Sequence, residues 1–342
     1  MTLRAAIVGA GGIARQHARA CREVPGVDLV AVCDLRPEAA ERFAAEFAVP
    51  RRYTELEALL AEERLDLAIV ATWGDSHASV TTTVARSGKV RGILCEKPFS
   101  LTAAEAETMQ REAAAHGVLL AEAFKFRHHP AHLKAEALVA AGCLGVVSHV
   151  RSLFTTFAPA ERRDPALNWR FNPQRGGGAV YDLACYCTHH ARWVMAADPL
   201  RVHAVGRWGE SSGVDEYVAA TLEFPGGRTA QWWVSFGHVP TQEIEIFGTR
   251  GRIRIDRAWN NEDQPTTLEL VEGNGPVQRV DFAPVFQFAL QLAHMRECLV
   301  TGEPHRIPTA DSVEQMRTLD AVYQSLRTGS VASLTADLAG VR

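Results

Sequence analysis

The sequence lacks most of the features that would place it outside the ordinary enzymes. No run approaches the roughly 18 apolar residues that cross a bilayer, so no membrane segment is expected. There is no dense Lys/Arg block, and the formal net charge is -4. That balance argues against a nucleic-acid partner. In the nearest approach, Glu161-Arg162-Arg163-Asp164, acids flank the arginines, though with Arg170 nearby a local anion site stays open. The seven cysteines are odd in number and include no C-x-x-C pair. This fits reduced thiols in a cytoplasmic protein better than a disulfide framework. There is no internal repeat and no low-complexity tract. The apolar run at 3–8 leads straight into a glycine-rich turn, so it is expected to be a strand rather than a secretory signal.

What is present is a two-domain pattern. A chain of 342 residues exceeds what one core usually organises. Hydrophobic residues at 47% and charged residues at 22% leave no room for long disorder. Strands over 4–9, 28–33, 67–71, 93–95 and 118–123 alternate with helices over 13–24, 37–47, 76–87 and 103–116. Such alternation implies βαβ units and a parallel sheet. The pattern changes near 123. A helix over 132–141, a strand over 146–156, a long polar loop over 158–174 and a helix over 180–195 follow. Successive strands then run from 201 to about 281, with helices over 286–301 and 309–327. The expected fold is an α/β Rossmann domain over 1–123, followed by an α+β domain with a mainly antiparallel open sheet over 124–342.

Gly9-Ala10-Gly11-Gly12-Ile13-Ala14 fits G-x-G-x-x-[GA], with a strand before it and a helix starting within it. Gly9 makes the tight turn, Gly11 admits a pyrophosphate to the backbone, and Ala14 lets helix and strand pack closely. Gly12 and Ile13 lie at the helix N-terminus, which offers free N–H groups and a partial positive charge to phosphates. Asp34, at the end of the next strand, is placed to accept from the adenine ribose hydroxyls, with Leu35 beside it. A 2′-phosphate would meet its negative charge, so NAD is favoured. Arg36 keeps NADP open, because it can cradle that phosphate.

Two further segments carry chemistry. Glu96-Lys97-Pro98 follows a strand, and Gly176-Gly177-Gly178-Ala179-Val180-Tyr181-Asp182 opens a helix that reaches Tyr186. With the glycine fingerprint, Glu122-Ala123-Phe124, Arg127-His128-His129-Pro130 and Phe247-Gly248-Thr249-x-Gly251, the chain strongly resembles the glucose–fructose oxidoreductase/inositol dehydrogenase (Gfo/Idh/MocA) family over nearly its whole length. The resemblance implies hydride transfer between NAD(P) and a sugar, cyclitol or related polyhydroxylated alcohol or ketone. It also implies Lys97, Asp182 and Tyr186 around the reacting carbon, and a homodimer or homotetramer formed through the C-terminal sheet. The tyrosine places the chain with the glucose–fructose oxidoreductase, dihydrodiol and xylose dehydrogenase group. In that reading Tyr186 exchanges the substrate proton, Lys97 is its electrostatic partner, and Asp182 orients substrate or lysine. The alternative leaves Tyr186 as a packed helix residue, with Lys97 donating the proton. An ammonium from one domain and a phenol from the other must then serve one coenzyme ring.

The chain departs from the family pattern at several positions. His189 stands where members often carry Asp or Asn; it can bind a substrate hydroxyl, act as a base, or satisfy a buried hydrogen bond. Thr72-Trp73-Gly74-Asp75-Ser76-His77 replaces the usual Thr-Pro-Asn run. Thr72 and His77 are expected on the nicotinamide side, and Trp73 either stacks on a ring or is a core indole. Lys125 replaces an apolar residue and is a candidate for substrate selection. Arg127, Asn168 and Arg170 are candidate binders of hydroxyl or carboxylate groups. His128, His129 and His132 do not read as a metal site, because Pro130 breaks the register and no carboxylate or Cys has ligand spacing. Gly209-Glu210-Ser211-Ser212-Gly213 matches a hydrolase pattern but joins two strands, so it reads as a hairpin loop. Two other functional classes remain: a redox-neutral glycosidase or lyase that retains NAD, and a non-catalytic NAD(P) sensor. A sensor would have no use for the proton-transfer set.

Overall fold

A computed structural model of the chain describes residues 1–334. They form two compact units: Met1–Lys125 with Phe286–Met316, and Phe126–Val285 with a segment that starts at Arg317.

The first unit alternates strand and helix in chain order: β1 Leu3–Val8, α1 Gly12–Glu23, β2 Val27–Cys33, α2 Pro37–Phe47, β3 Arg51–Tyr53, α3 Leu56–Glu62, β4 Leu67–Val70, α4 Gly74–Arg86, β5 Gly92–Cys95, α5 Ala103–Ala115 and β6 Leu119–Glu122. The sheet order is β3-β2-β1-β4-β5-β6, all parallel. This is a Rossmann order, with its switch point between β1 and β4, where dinucleotide sites form. β4 and β5 are buried along their whole length, as a sheet covered on both faces requires. The short pair β3 and α3 went unread in the sequence, because Arg51-Arg52-Tyr53 carries no apolar alternation.

The second unit continues with α6 Pro130–Ala140, β7 Val147–Phe157, α7 Cys185–Met195, β8 Arg201–Trp208, β9 Asp215–Phe224, β10 Arg228–Ser235, β11 Gly237–Gly248, β12 Gly251–Asp256, β13 Thr266–Glu272 and β14 Gln278–Phe282. Two helices follow, α8 Gln287–Thr301 and α9 Thr309–Thr328, and then β15 Ala332–Ser333. The sheet runs β14-β13-β12-β11-β7-β10-β9-β8-β15. It is antiparallel except for the β7–β10 pair. The segment 209–213 is the turn between β8 and β9, closed by Gly209 N–H to Val214 O at 2.8 Å, as a hairpin reading requires.

The stretch 286–316 was expected in the second domain but belongs to the first unit. Phe288, Leu292, Met295 and Leu299 recur at helical spacing on α8 and join the core of the parallel sheet. Phe288 meets His17 of α1 edge to face at 5.3 Å. Gly92 of β5 has no side chain, and a Cβ there would stand 2.7 Å from Met295.

Candidate active site

In the first unit the glycine turn forms a cradle. Gly9 has φ +99°, and a Cβ on it would lie 2.6 Å from the Ala71 carbonyl oxygen. Only glycine allows β1 to end this close to the loop after β4. Gly11 and Gly12 face open space instead, with nothing within 4 Å of an added Cβ. No side chain caps α1, so its first N–H groups remain available to an anion. These features fit a bound pyrophosphate. Ala14 is fully buried, as close helix–strand packing demands, whereas Ile13 is half-buried.

Asp34 closes the cradle. One carboxylate oxygen accepts from Ala10 N–H at 2.8 Å and the other from Arg36 N–H at 2.9 Å. Each oxygen keeps a lone pair for a ribose hydroxyl. The Arg36 guanidinium is 67% exposed and 3.4 Å from Asp34. Leu35 is 83% exposed and shapes the rim rather than the core.

Residues at the carboxyl ends of β4 and β5 support the middle of this unit. His77 is buried; its Nδ1 lies 2.8 Å from the Pro98 carbonyl and its Nε2 3.2 Å from the Thr72 carbonyl. Burial holds its pKa below the usual value, and a neutral ring can donate to only one of these two carbonyls. Trp73 precedes α4 and is 42% exposed, which rules out a core indole. Glu96 points inward: one oxygen is 2.7 Å from His17 Nε2 and the other accepts from Lys97 N–H. Burial alone would raise its pKa, but His17, then Lys97 and His77, more than offset this and keep it below the usual range. Glu96 therefore fixes the turn that carries Lys97, whose peptide bond to Pro98 is cis. Lys97 is half-buried, and Lys125 is buried with its ammonium 5.0 Å from the Phe288 ring centre. Composition held a signal here that went unused. Among 36 basic residues only four are lysine, and two of those, Lys97 and Lys125, stand just past β5 and β6.

In the second unit the glycine triplet leads into a wide π-type turn, Val180–Ala184, that runs into α7. π turns inside helices often mark functional sites. Asp182 lies on this turn, buried, and accepts from Arg170 Nε at 2.7 Å. Tyr186 is buried one turn on, in an aromatic cage of Phe126, Phe154 and Trp259, with ring centres 5.5–5.8 Å away. No spacing along the chain marks that cage, whose members lie 32 to 73 residues from Tyr186.

The other candidates separate. His189 is fully buried and its Nε2 lies 3.0 Å from Arg127 Nη1. Burial, then the charges of Arg127 and Arg192, push its pKa well below the usual value. A neutral ring can then only accept at Nε2 from the guanidinium, which favours the buried hydrogen-bond alternative. Arg127 also stacks on Trp193, 4.1 Å from its ring centre. Asn168 caps the turn Trp169–Phe171, accepting from Arg170 N–H and donating to the Arg162 carbonyl. Its amide holds the loop. His129 accepts from Ala131 N–H at the start of α6, and His132 bonds the Ala258 carbonyl at 2.7 Å.

Asp215, which the sequence reading passed over, anchors the glycine triplet. It accepts from Val180 N–H at 2.7 Å and from the Tyr323 hydroxyl at 3.0 Å. Burial raises its pKa from 3.8 to about 7 against those bonds. A raised acid stabilises the fold fully below pH 3.8, and the contribution falls as pH rises to about 7. Asp215→Asn should therefore gain in melting temperature relative to wild type between pH 4 and 7 and hold a constant difference above that window. Parallel thermal-melt curves across the series would show that Asp215 carries no such linkage.

Comparison with known proteins matches this arrangement along the chain. A model described as "Oxidoreductase family, NAD-binding Rossmann fold" matches 3–124, and one described as "GFO/IDH/MocA C-terminal domain" matches 132–254. D-xylose 1-dehydrogenase (NADP(+)) 2 of Haloferax volcanii is 31% identical, over 96% of this chain and 98% of its own. Trans-1,2-dihydrobenzene-1,2-diol dehydrogenase of Mus musculus is 30% identical, over 91% and 93%. Among solved structures, aldose-aldose oxidoreductase from Caulobacter crescentus, complexed with glycerol, superposes with a TM-score of 0.88 at 27% identity, over 97% of this chain and 100% of its own. KijD10, a 3-ketoreductase from Actinomadura kijaniata in complex with NADP and TDP-benzene, superposes with a TM-score of 0.86 at 26% identity, over 95% and 98%.

Proposed function

Because the chain belongs to the GFO/IDH/MocA oxidoreductase family, we propose that it interconverts a hydroxyl and a carbonyl on a sugar, cyclitol or related polyhydroxylated substrate, using NAD(P) and the proton-transfer group Tyr186. The observation that carries this reading is the caged phenol of Tyr186, one turn beyond the Arg170–Asp182 pair.

A nicotinamide coenzyme held by Gly9, Gly11, Gly12 and Asp34 supplies the hydride donor or acceptor. The chain's own residues do the rest. Lys97 donates a hydrogen bond to the substrate oxygen and stabilises negative charge there. Tyr186 gives up or takes the proton that this oxygen gains or loses. A free tyrosine, with a pKa near 10, is a poor base at neutral pH, and a nearby cation corrects this by favouring the phenolate. Asp182 orients the groups around it. Lys125 and Arg170 sort substrates by their hydroxyl or anionic groups. The protein is read as cytoplasmic and as a homo-oligomer built through its open sheet. Among the described residues, no helix is long and apolar enough to cross a membrane.

The direct test is a screen of aldoses, ketoses, cyclitols and diols with NAD and with NADP, following absorbance of the reduced nicotinamide. At least one polyhydroxylated substrate should show coenzyme-dependent turnover, and none in a broad screen would count against the reading. NAD is the expected preference, because the Asp34 carboxylate, at the end of β2 beside the glycine turn, would meet a 2′-phosphate with like charge. Asp34→Ala should shift the NAD/NADP ratio of kcat/KM toward NADP by about tenfold or more, the worth of one or two charge-assisted hydrogen bonds. Arg36 would then be freed from its acid. An unchanged ratio would show that Asp34 does not read the ribose.

A further inference from the structure

We propose that Arg170 is a positioning residue, the cation that steadies the Tyr186 phenolate, held in place by Asp182 and by a notch that Gly177 leaves for its loop. The inference rests on Tyr186 as the proton-transfer group and adds a second cation to the role given to Lys97.

The loop that bears Arg170 docks on the start of the active-site helix through backbone contacts. Gly178 N–H donates to the Arg170 carbonyl at 2.9 Å, and Gly177 N–H donates to the Asn172 carbonyl at 2.9 Å. A Cβ on Gly177 would stand 2.6 Å from the Trp169 carbonyl oxygen and 2.7 Å from those of Arg170 and Asn172. The middle glycine of the triplet is thus a space for three carbonyls. It is not a phosphate cradle, in contrast with Gly11 and Gly12. Asn168 caps the same loop at its start.

The Arg170 side chain then has a fixed direction. Its Nε donates to the buried Asp182 carboxylate at 2.7 Å, and its guanidinium carbon lies over the Trp169 ring, 4.9 Å from the centre. The charge of Asp182, outweighing burial, raises the Arg170 pKa, and Tyr186 adds to the rise. Asp182 stands one turn before Tyr186 on the same helical run, so it holds the guanidinium within range of the phenol's charge. Because coupling between two charges is mutual, the guanidinium favours the phenolate as the phenolate favours the guanidinium. Arg170 is charged at every working pH, whereas an ammonium can lose its proton. Asp182, buried, balances the guanidinium, so neither charge of the pair is left unpaired.

The nearby cations and imidazoles of this unit have partners or burial of their own, and Arg192 of α7 pairs with Asp198. Among the elements packed against Tyr186, Arg127 is committed to His189 and Trp193. Arg151 of β7 is paired with Glu243 and Glu245. Past β12, Arg257 pairs with Asp256 and bonds the Pro265 carbonyl. His132, His189 and His190 are kept neutral, chiefly by burial.

The test is a tyrosinate absorbance titration of the whole protein, with Tyr186 isolated by subtracting Tyr186→Phe. Only five tyrosines are present. Tyr53 is pushed up to about 12 and Tyr323 well above its ordinary value, both chiefly by burial, so neither contributes below pH 10, and the subtraction removes the other two. The Tyr186 midpoint should lie below 10 in wild type and rise by about one pH unit in Arg170→Met, the low end for a close opposite charge because the guanidinium is 44% exposed. Arg170→Lys should restore most of the shift. Gly177→Ala, which keeps Arg170 but pushes its loop away, should move the midpoint the same way as Arg170→Met. The pH–rate profile for alcohol oxidation, where the phenolate is the base, should follow, with about a tenfold loss at neutral pH for a one-unit shift. A Tyr186 midpoint unchanged in folded Arg170→Met overturns the proposal. Should that variant not fold, an unchanged midpoint in Gly177→Ala with its loop displaced does so. If Tyr186→Phe retains full rate, the catalytic reading of Tyr186 fails, and the titration still decides the role of Arg170.

Discussion

Tyr186→Phe is expected to lower turnover by about 10²- to 10⁴-fold, the range for losing a positioned acid–base group, while leaving coenzyme affinity nearly unchanged. The reason is local. Removing one oxygen from the ring keeps its contacts with Phe126, Phe154 and Trp259, so the cage and the helix should hold their shape. The glycine cradle that would take the coenzyme is built from α1 and β1 of the first unit. A loss confined to kcat and to kcat/KM equally would mark an interaction made only in the transition state. Kinetics with the best substrate from the screen, together with coenzyme binding by fluorescence, read both quantities. A variant with wild-type turnover would assign the proton to Lys97 instead, the alternative that the sequence left open.

How far the sequence disclosed this site depends on the range of the contacts involved. The coenzyme cradle was legible because all of it is local: a buried strand, a glycine turn, a helix N-terminus and an acid on the next strand. The helical stripe Phe288, Leu292, Met295, Leu299 was legible as a helix, but its partner was not. What it covers is α1 and the parallel sheet, some 270 residues earlier in the chain, as the Arg296 bond to the Gly26 carbonyl illustrates. The same limit explains His189 and Asn168. His189 is met by Arg127 from 62 residues away, and the Asn168 amide is spent on its own loop. The glycine triplet was recognised only by resemblance. Its physical purpose needs the three carbonyls at Gly177 and the Asp215 carboxylate, 2.1 Å from where a Cβ of Gly178 would sit, and no spacing rule encodes those.

Two glycines of the same fingerprint should fail in opposite ways when replaced by alanine. Gly9→Ala should lose stability first. Its φ of +99° lies where an L side chain is strained, and the added Cβ would press on the Ala71 carbonyl oxygen at 2.6 Å, carbon at 2.8 Å and Thr72 nitrogen at 2.9 Å. These neighbours are backbone of the loop leaving β4, so relief requires β1 and β4 to part, and both strands are buried core. Strain and overpacking together should cost about 3 kcal/mol or more, read as a lower melting temperature without any coenzyme present. Gly11→Ala has the opposite signature. Gly11 sits at φ −81° and ψ −169°, open to alanine, and nothing lies within 4 Å of the new Cβ. The apo protein should lose no more than about 1 kcal/mol, the scale of a helix-cap change. The open space that makes the substitution cheap is the space a pyrophosphate must enter, so coenzyme affinity should fall by about tenfold or more, the effect of obstructing charge-assisted bonds to backbone N–H groups. Thermal melts with and without coenzyme separate the two. Wild-type melts would show the coenzyme-induced rise, Gly11→Ala would start at nearly the same temperature and lose the rise, and Gly9→Ala would start low. If Gly11→Ala keeps the full rise with NAD and with NADP, the phosphates do not pass over this turn, and the assignment of the cradle falls with them.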